Sequence, residues 1–239
     1  MATACVCSDR LEVDDDGVLC VIPGSLGLRR MIIYSTPGNH QFVKANYPWL
    51  ARVRVQVQGG GGGSAGANAA ANQLIARPGG AGGGWSESIL SVNTLGAAET
   101  VVVGAGGAAG NSNNPGGAGG SSSFGGFVVA PGGDGGTANM TSGVTLGTAN
   151  GVPGPFAGAG EHISGGGAGG GAIRLSGTEG LAGQGGESRL GHGGFQRGSQ
   201  GPGTAPRGWG GGAGGALSTG TSYDGAQGGG GIVIVELFG

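Results

Sequence analysis

Charged residues are scarce in this sequence. Asp, Glu, Lys and Arg together make up 10% of the 239 residues, and the formal net charge is −2. Lys44 is the only lysine, and the basic residues beyond Gln58 are scattered singly along the chain (Arg77, Arg174, Arg189, Arg197 and Arg207). Proteins that follow a phosphate backbone present clustered lysine and arginine. We therefore predict no nucleic-acid partner.

Cysteine is also scarce, and all of it lies near the start of the chain. Cys5, Cys7 and Cys20 are the three cysteines, and an odd number with no later partner argues against the disulfide framework of small secreted domains. A zinc site built from these cysteines and His40 would have irregular ligand spacing. We expect small buried thiols rather than a metal site, and the sequence predicts no cofactor.

Long apolar runs are missing as well. No stretch approaches the roughly 18 apolar residues that a membrane-spanning helix requires. Asp14, Asp15 and Asp16 interrupt the region in which a secretion signal would place its apolar core. We predict that the chain is made in the cytoplasm and does not insert into membranes. Any extracellular role would then come through assembly into a larger particle.

Catalytic patterns are few and lack their usual context. Gly62-Gly63-Ser64-Ala65-Gly66 matches the nucleophile elbow of α/β hydrolases, but the chain lacks the strand–helix alternation of that fold. His162, His192 and Asp224 qualify as partners of the serine by residue type alone. Gly165–Gly170 matches a dinucleotide fingerprint without a preceding strand. We predict that the protein is not an enzyme.

Glycine is the residue that the sequence has in excess. Of its 66 glycines, 62 lie beyond Gln58, so the composition changes abruptly at Gln58–Gly59. A chain this rich in glycine without an obvious period is typically disordered. Disordered chains rely on charge to remain expanded, however, and this one has little. We therefore expect compact order.

Short β-branched segments adjoin the glycine tracts. Arg52–Gln58 alternates valine with polar residues, which predicts a half-buried antiparallel strand. Val101–Val103, Phe127–Val129 and Ile232–Phe238 also border glycine. We predict an all-β fold, with a small antiparallel sheet or sandwich that carries the glycine tracts as insertions. Helix should be nearly absent, although Ala67–Ala76 has the propensity for two or three helical turns.

The glycine tracts show a partial three-residue repeat. Glycine recurs every third position at 104/107/110, at 177/180/183/186 and at 225/228/231. A polyglycine II helix has three residues per turn and no internal hydrogen bonds, so its amides must pair with neighbouring helices. We predict many short helices of this type, packed side by side. Collagen is excluded because the repeat never persists and proline is too rare.

Two segments with different roles are predicted. Residues 1–45 form an N-terminal attachment segment, or alternatively an extension packed on the main domain, and residues 46–239 form the glycine-rich β domain. Isolated aromatics among small residues are the candidate contacts, either adhesive or covering the bundle ends and subunit interfaces. With two histidines, the candidate set is Phe156, His162, His192, Phe195, Trp209 and Tyr223.

From Asn46 onward the chain resembles the glycine-rich domain of bacteriophage tail proteins. The matching pieces, in order, are Val53–Gly63, Thr100–Gly107, Ser121–Ala130 and Gly228–Val235. The resemblance implies a minor tail or tail-tip protein of the virion, often trimeric, that contacts other tail proteins and a host cell-surface glycan or protein. The alternative is a capsid decoration or fibre protein with the same fold.

Overall fold

The computed structural model describes residues 11–13, 17–21 and 27–239. In this part of the chain the regular structure is strand, with one 3-10 turn at Lys44–Asn46 and no α-helix, which confirms the predicted all-β class. The strands are β1 (Leu11–Val13), β2 (Leu19–Val21), β3 (Leu28–Tyr34), β4 (Gly38–Val43), β5 (Arg52–Gln58), β6 (Ile75–Ala76), β7 (Trp85–Ser91), β8 (Ala98–Val103), β9 (Ser122–Phe124), β10 (Val128–Ala130), β11 (Gly147–Ala149), β12 (His162–Ser164), β13 (Ala172–Arg174), β14 (Gly180–Leu181), β15 (Gly191–His192), β16 (Arg207–Gly208), β17 (Leu217–Ser218) and β18 (Ile232–Phe238).

Two antiparallel sheets pack on each other at one end of the molecule. One has the strand order β12-β7-β5-β18-β3, and the other has the order β10-β9-β8-β4. Val53, Val55 and Val57 of β5 are fully buried between the sheets, as the alternating sequence predicted. Val233 and Val235 of β18 join the same core. Because successive side chains of a strand point to opposite faces, the polar residues of β5 lie on the outer face of the sheet.

The glycine run after β5 forms the centre of a bundle. The amides of residues 59–64 donate in rotation to three other segments, residues 78–84, 116–120 and 225–229, and the order repeats after three residues. The bonds are Gly59 N to Gly84 O, Gly60 N to Gly120 O, Gly61 N to Gly229 O, Gly62 N to Ala81 O, Gly63 N to Gly117 O and Ser64 N to Ala226 O. A rotation of three residues per turn, with every bond made to a neighbour, is the pattern of polyglycine II.

The carbonyls of the same run accept from three further segments, residues 104–110, 131–136 and 210–215. The donors are Gly133 N to Gly60 O, Gly107 N to Gly61 O, Ala213 N to Gly62 O, Gly136 N to Gly63 O and Gly110 N to Ser64 O. The three segments whose carbonyls accept from residues 59–64 run antiparallel to them, because the residue numbers of the acceptors fall along the run. Residues 104–110 and 131–136 each donate at two positions, and the rising numbers show that these two segments run parallel to it. The run is therefore surrounded by six neighbouring segments, and it is the central helix of the bundle.

Close backbone approach explains why the central helix contains only glycine before Ser64. A methyl group on Gly62 would lie 2.0 Å from the carbonyl oxygen of Asp134. Helices at the edge of the bundle need glycine on one face only. Gly104, Gly107 and Gly110 face inward, whereas Ala105 and Ala108 are exposed.

The predicted glycine triplets are partly confirmed. Gly231, Gly228 and Gly225 donate in turn to the carbonyls of Gly104, Gly107 and Gly110, so these two triplets pair with each other. In the third triplet series, Gly183 and Gly186 donate to Arg77 O and Gly80 O of the bundle. Gly180, by contrast, lies in β14, which pairs with β13.

The prediction of helical turns at Ala67–Ala76 is wrong. Ala67 exchanges hydrogen bonds with Tyr223, and Asn72 adopts a left-handed turn conformation with φ of 59°. Ile75 and Ala76 form β6, which pairs with β17. The segment buries Ala67 and Ala69 in a cluster with Ile75 and Ala216. This tertiary packing outweighs the helix propensity of alanine, which amounts to tenths of a kcal/mol per residue.

Residues 28–43, which fall in the predicted attachment segment, contribute β3 and β4 to the two main sheets. The boundary at residue 45 and the attachment role of residues 1–45 remain predictions. Cys5 and Cys7, which enter the zinc hypothesis, lie outside the described residues. No helix in the described part of the chain is long and apolar enough to cross a membrane.

Candidate functional site

The candidate site is a surface built on the short pair of strands β15 and β16. His192 of β15 lies directly opposite Arg207 of β16. Gly208 and Gly210 have φ values of 85° and 74°, which glycine adopts readily and other residues avoid. These two glycines turn the chain on either side of Trp209 and bring its backbone beside Gly191.

The side chains of this surface enclose a small cavity. His192, Gly193, Phe195, Ala205 and Arg207 line a space of about 280 Å³. Phe195 is 62% exposed, although it is a large apolar side chain. The hydroxyl of Thr204 donates to the Phe195 carbonyl at 2.6 Å and fixes the backbone beneath the ring. An aromatic face next to a guanidinium and an imidazole can combine apolar contact with hydrogen bonding.

Hydrogen bonds hold the turn between residues 187 and 192. His192 Nδ1 lies 2.9 Å from a carboxylate oxygen of Glu187, and both side chains are exposed. The single hydroxyl proton of Ser188 is shared between the carbonyl oxygens of Trp209, at 2.5 Å, and Gly191, at 2.9 Å. The contact with Glu187 becomes an ion pair when the imidazole is protonated. We name residues 187–195 together with residues 204–209 the β15–β16 surface.

The structure brings together three of the predicted contact residues. His192 and Phe195 line the same cavity, and Trp209, which is 37% exposed, follows β16 directly. Phe156 is 93% exposed on a separate loop. His162 lies on β12, at the edge of the larger sheet and opposite Glu87.

Tyr223 lies in a different environment from the other predicted contacts. It exchanges backbone hydrogen bonds with Ala67, just beyond the central helix, and its ring packs on the Ala67, Ala69, Ile75 and Ala216 cluster. Glu187 and Arg207 were missed as members of the β15–β16 surface. Nothing in the local sequence distinguishes them, because they reach the surface through the pairing of β15 with β16.

Ser64, the serine of the elbow pattern, is part of the bundle. It is fully buried, and its Oγ accepts a hydrogen bond from the amide of Ala226 at 2.9 Å. The hydroxyl thereby satisfies a backbone donor at the end of the central helix. Buried backbone amides need such partners, so the position of this hydroxyl gives it a structural role.

The fold thus defines a glycine-rich β protein in which a sandwich continues into a bundle of polyglycine II helices. The model of the glycine-rich domain family matches residues 37–238. The chain belongs to this family. The match begins at the turn before β4 and ends with the last residue of β18, so it takes in the bundle and both main sheets except the edge strand β3. No curated protein matches the chain.

Proposed function

We propose that the chain is a structural component of a bacteriophage tail tip that contributes to attachment at the host surface. The resemblance of its motifs to tail proteins supports this role. The observation that carries the proposal is the presentation of exposed aromatic side chains, Phe195 and Phe156, on an interlocked backbone bundle. Each ring offers a large apolar contact area on backbone that is already ordered.

The segments that present Phe195 are ordered before any partner binds. A loop that is ordered before binding loses less conformational entropy on binding. The segments that present Phe195 are tied to the bundle, since Gly194 donates to Gly212 O and Thr204 exchanges hydrogen bonds with Gly214. Aromatic side chains add large contact area at low entropic cost. The β15–β16 surface is therefore suited to contact a glycan or protein on the cell surface.

The edge strand β3 is the proposed contact with neighbouring tail proteins or with other copies in a trimer. Met31 and Ile33 of this strand are exposed apolar residues, and β3 ends its sheet among the described strands. An edge strand presents unpaired backbone groups that can pair with another chain.

Antibody labelling on intact particles tests the proposal. Gold-conjugated antibody against this chain should label the tip of the tail of the phage that encodes it. Labelling over the head would support the alternative of capsid decoration and contradict the tail role. A competition experiment gives a functional test. The purified chain, added in excess, should slow the adsorption of the phage to host cells. The variant Phe195→Ser should slow it less.

A further inference from the structure

A second cleft lies on the outer face of the larger sheet, beside the edge strand β12. Its volume is about 590 Å³, within the roughly 300–1,000 Å³ typical of small-molecule sites. Most of the lining side chains are charged or polar. They are Arg54, Trp85, Glu87, Glu161, His162, Ile163, Ser164 and Arg189.

Part of this charge is already compensated. Arg54 Nε donates to Glu87 at 2.6 Å, and its Nη1 lies 3.4 Å from Glu236. The hydrogen bond with Glu87 raises the pKa of Arg54, so this guanidinium stays protonated. Glu161 accepts from the amide of Ile89 at 2.9 Å and is itself exposed. The carboxylates of Glu87 and Glu161 are therefore fixed acceptors on the wall of the cleft.

Two donors beside the cleft have no hydrogen-bond acceptor in the described part of the chain, and one of them, the indole N–H of Trp85, is buried. Arg189 stacks over the ring of Trp85 at 4.1 Å from the centroid, and among the described residues it has no carboxylate partner. Trp85 is 4% exposed, and its Nε1–H has no hydrogen-bond partner in the described part of the chain. Gln58, directly opposite Trp85 in the pairing of β5 with β7, has an unpartnered Oε1. Buried polar groups without partners are rare in native proteins and call for an explanation.

We propose that this cleft binds an acidic saccharide, with the carboxylate of a uronic acid residue on Arg189 and its hydroxyl groups on Glu87 and Glu161. A guanidinium binds a carboxylate through charge-assisted hydrogen bonds, which are stronger than neutral ones. A sugar hydroxyl is a hydrogen-bond donor, which suits a wall that holds the carboxylate acceptors of Glu87 and Glu161. The inference rests on the geometry of the cleft and not on the proposed tail function.

Titration of the full-length chain with a trimer of α-1,4-linked galacturonic acid tests the proposal. Indole N–H signals in a proton–nitrogen NMR spectrum give the readout, since the chain has three tryptophans. The Trp85 signal, assigned through the variant Trp85→Phe, should move on binding, while those of Trp49 and Trp209 stay in place. The fully methyl-esterified trimer keeps the ring and loses the charge. It should bind at least about tenfold more weakly, because the charge-assisted hydrogen bond is lost.

A matched pair of exposed arginines provides the protein control. Arg189→Gln should weaken binding of the acidic trimer about tenfold or more. Arg52→Gln removes an exposed guanidinium that also lies over an aromatic ring, that of Phe238, but is not part of the cleft lining. It should leave binding unchanged, and both variants should melt at the wild-type temperature. The proposal is overturned by an unmoved Trp85 signal, by equal affinity for the acidic and esterified trimers, or by tighter binding of an acidic peptide.

Discussion

The amide of Gly62 donates a hydrogen bond to the carbonyl of Ala81 across 2.8 Å. Gly59, one turn earlier in the same helix, makes the equivalent bond to Gly84 at 2.9 Å. Bonds of this kind replace the side-chain core of an ordinary domain in this part of the molecule. Around the central helix, neighbouring backbones approach more closely than a Cβ atom on its glycines would allow, which makes the bundle sensitive to a single methyl group.

Replacing Gly62 with alanine should strongly destabilise the protein. The added methyl would lie 2.0 Å from the Asp134 carbonyl oxygen, and fixed backbone has little freedom to move away. We expect a loss of about 3 kcal/mol or more, at or above the upper end of typical overpacking costs. Urea unfolding measures the difference. Gly126→Ala is the control, because a Cβ at Gly126 meets nothing within 4 Å. Equal stability of the two variants would contradict the close approach of backbones.

Two adjacent positions of an edge helix should differ in how much a substitution changes the free energy of unfolding. Gly104→Ala would place a methyl 2.0 Å from the carbonyl oxygen of Gly120. Ala105 is exposed, so Ala105→Ser should change the free energy of unfolding by no more than about 0.5 kcal/mol. Thermal melting of both variants tests the predicted inward and outward faces. A larger loss of stability for Ala105→Ser than for Gly104→Ala would contradict this assignment of the inward and outward faces.

Arg77 should be a structural clamp at the end of the bundle. Its guanidinium donates to Gly66 O, Met140 O and Asn113 Oδ1 at 2.7–2.8 Å. Burial lowers the pKa of Arg77 to about 10, so it remains charged at neutral pH. Arg77→Met leaves these acceptors without their donor, and we expect a loss of about 3 kcal/mol or more.

The comparison for Arg77 is Arg207→Met, which removes an exposed guanidinium. Calorimetric melting should show a large decrease for Arg77→Met and almost none for Arg207→Met. A melting temperature for Arg77→Met that matches the wild type would mean that the buried guanidinium is dispensable.

Phe195→Ser should weaken host adsorption without changing stability. The ring is largely exposed and supports no core cluster of the described residues, so its removal costs contact area and not packing. Adsorption of particles that carry the variant should fall several-fold, in line with the loss of a central aromatic contact. Leu146→Ser, another exposed apolar position, is the matched control. Equal adsorption by the two variants would remove Phe195 from the contact surface.

The strands that could be predicted from the sequence are those whose own residues alternate or are β-branched. Arg52–Gln58 and Ile232–Phe238 both form strands with the predicted bounds, since alternating or β-branched residues beside glycine leave few other structures. Trp85–Ser91 was missed as a strand because its serines and Glu87 hide the alternation. Ser86 and Ser88 are buried on the inner side of the sheet, opposite Val57 and Val55, where they replace the expected apolar residues.

The bundle could be predicted as a type of structure but not as an arrangement. Polyglycine II helices packed side by side were predicted, but Gly59–Gly63 was not singled out as the helix with six neighbouring segments. The choice of those neighbours depends on pairings across more than a hundred residues, such as Gly61 with Gly229. No local pattern encodes them. The same holds for the β15–β16 surface, which depends on the pairing of His192 with Arg207.

Amide hydrogen exchange, followed residue by residue by NMR, tests the central claim most directly. If the glycine helices form the bundle, the amides of Gly60–Gly63 should exchange as slowly as those of β5, because each of these glycines is buried and donates to a backbone carbonyl. Exchange of these glycine amides at the rate of an unfolded chain, beside protected β5 amides, would contradict the account.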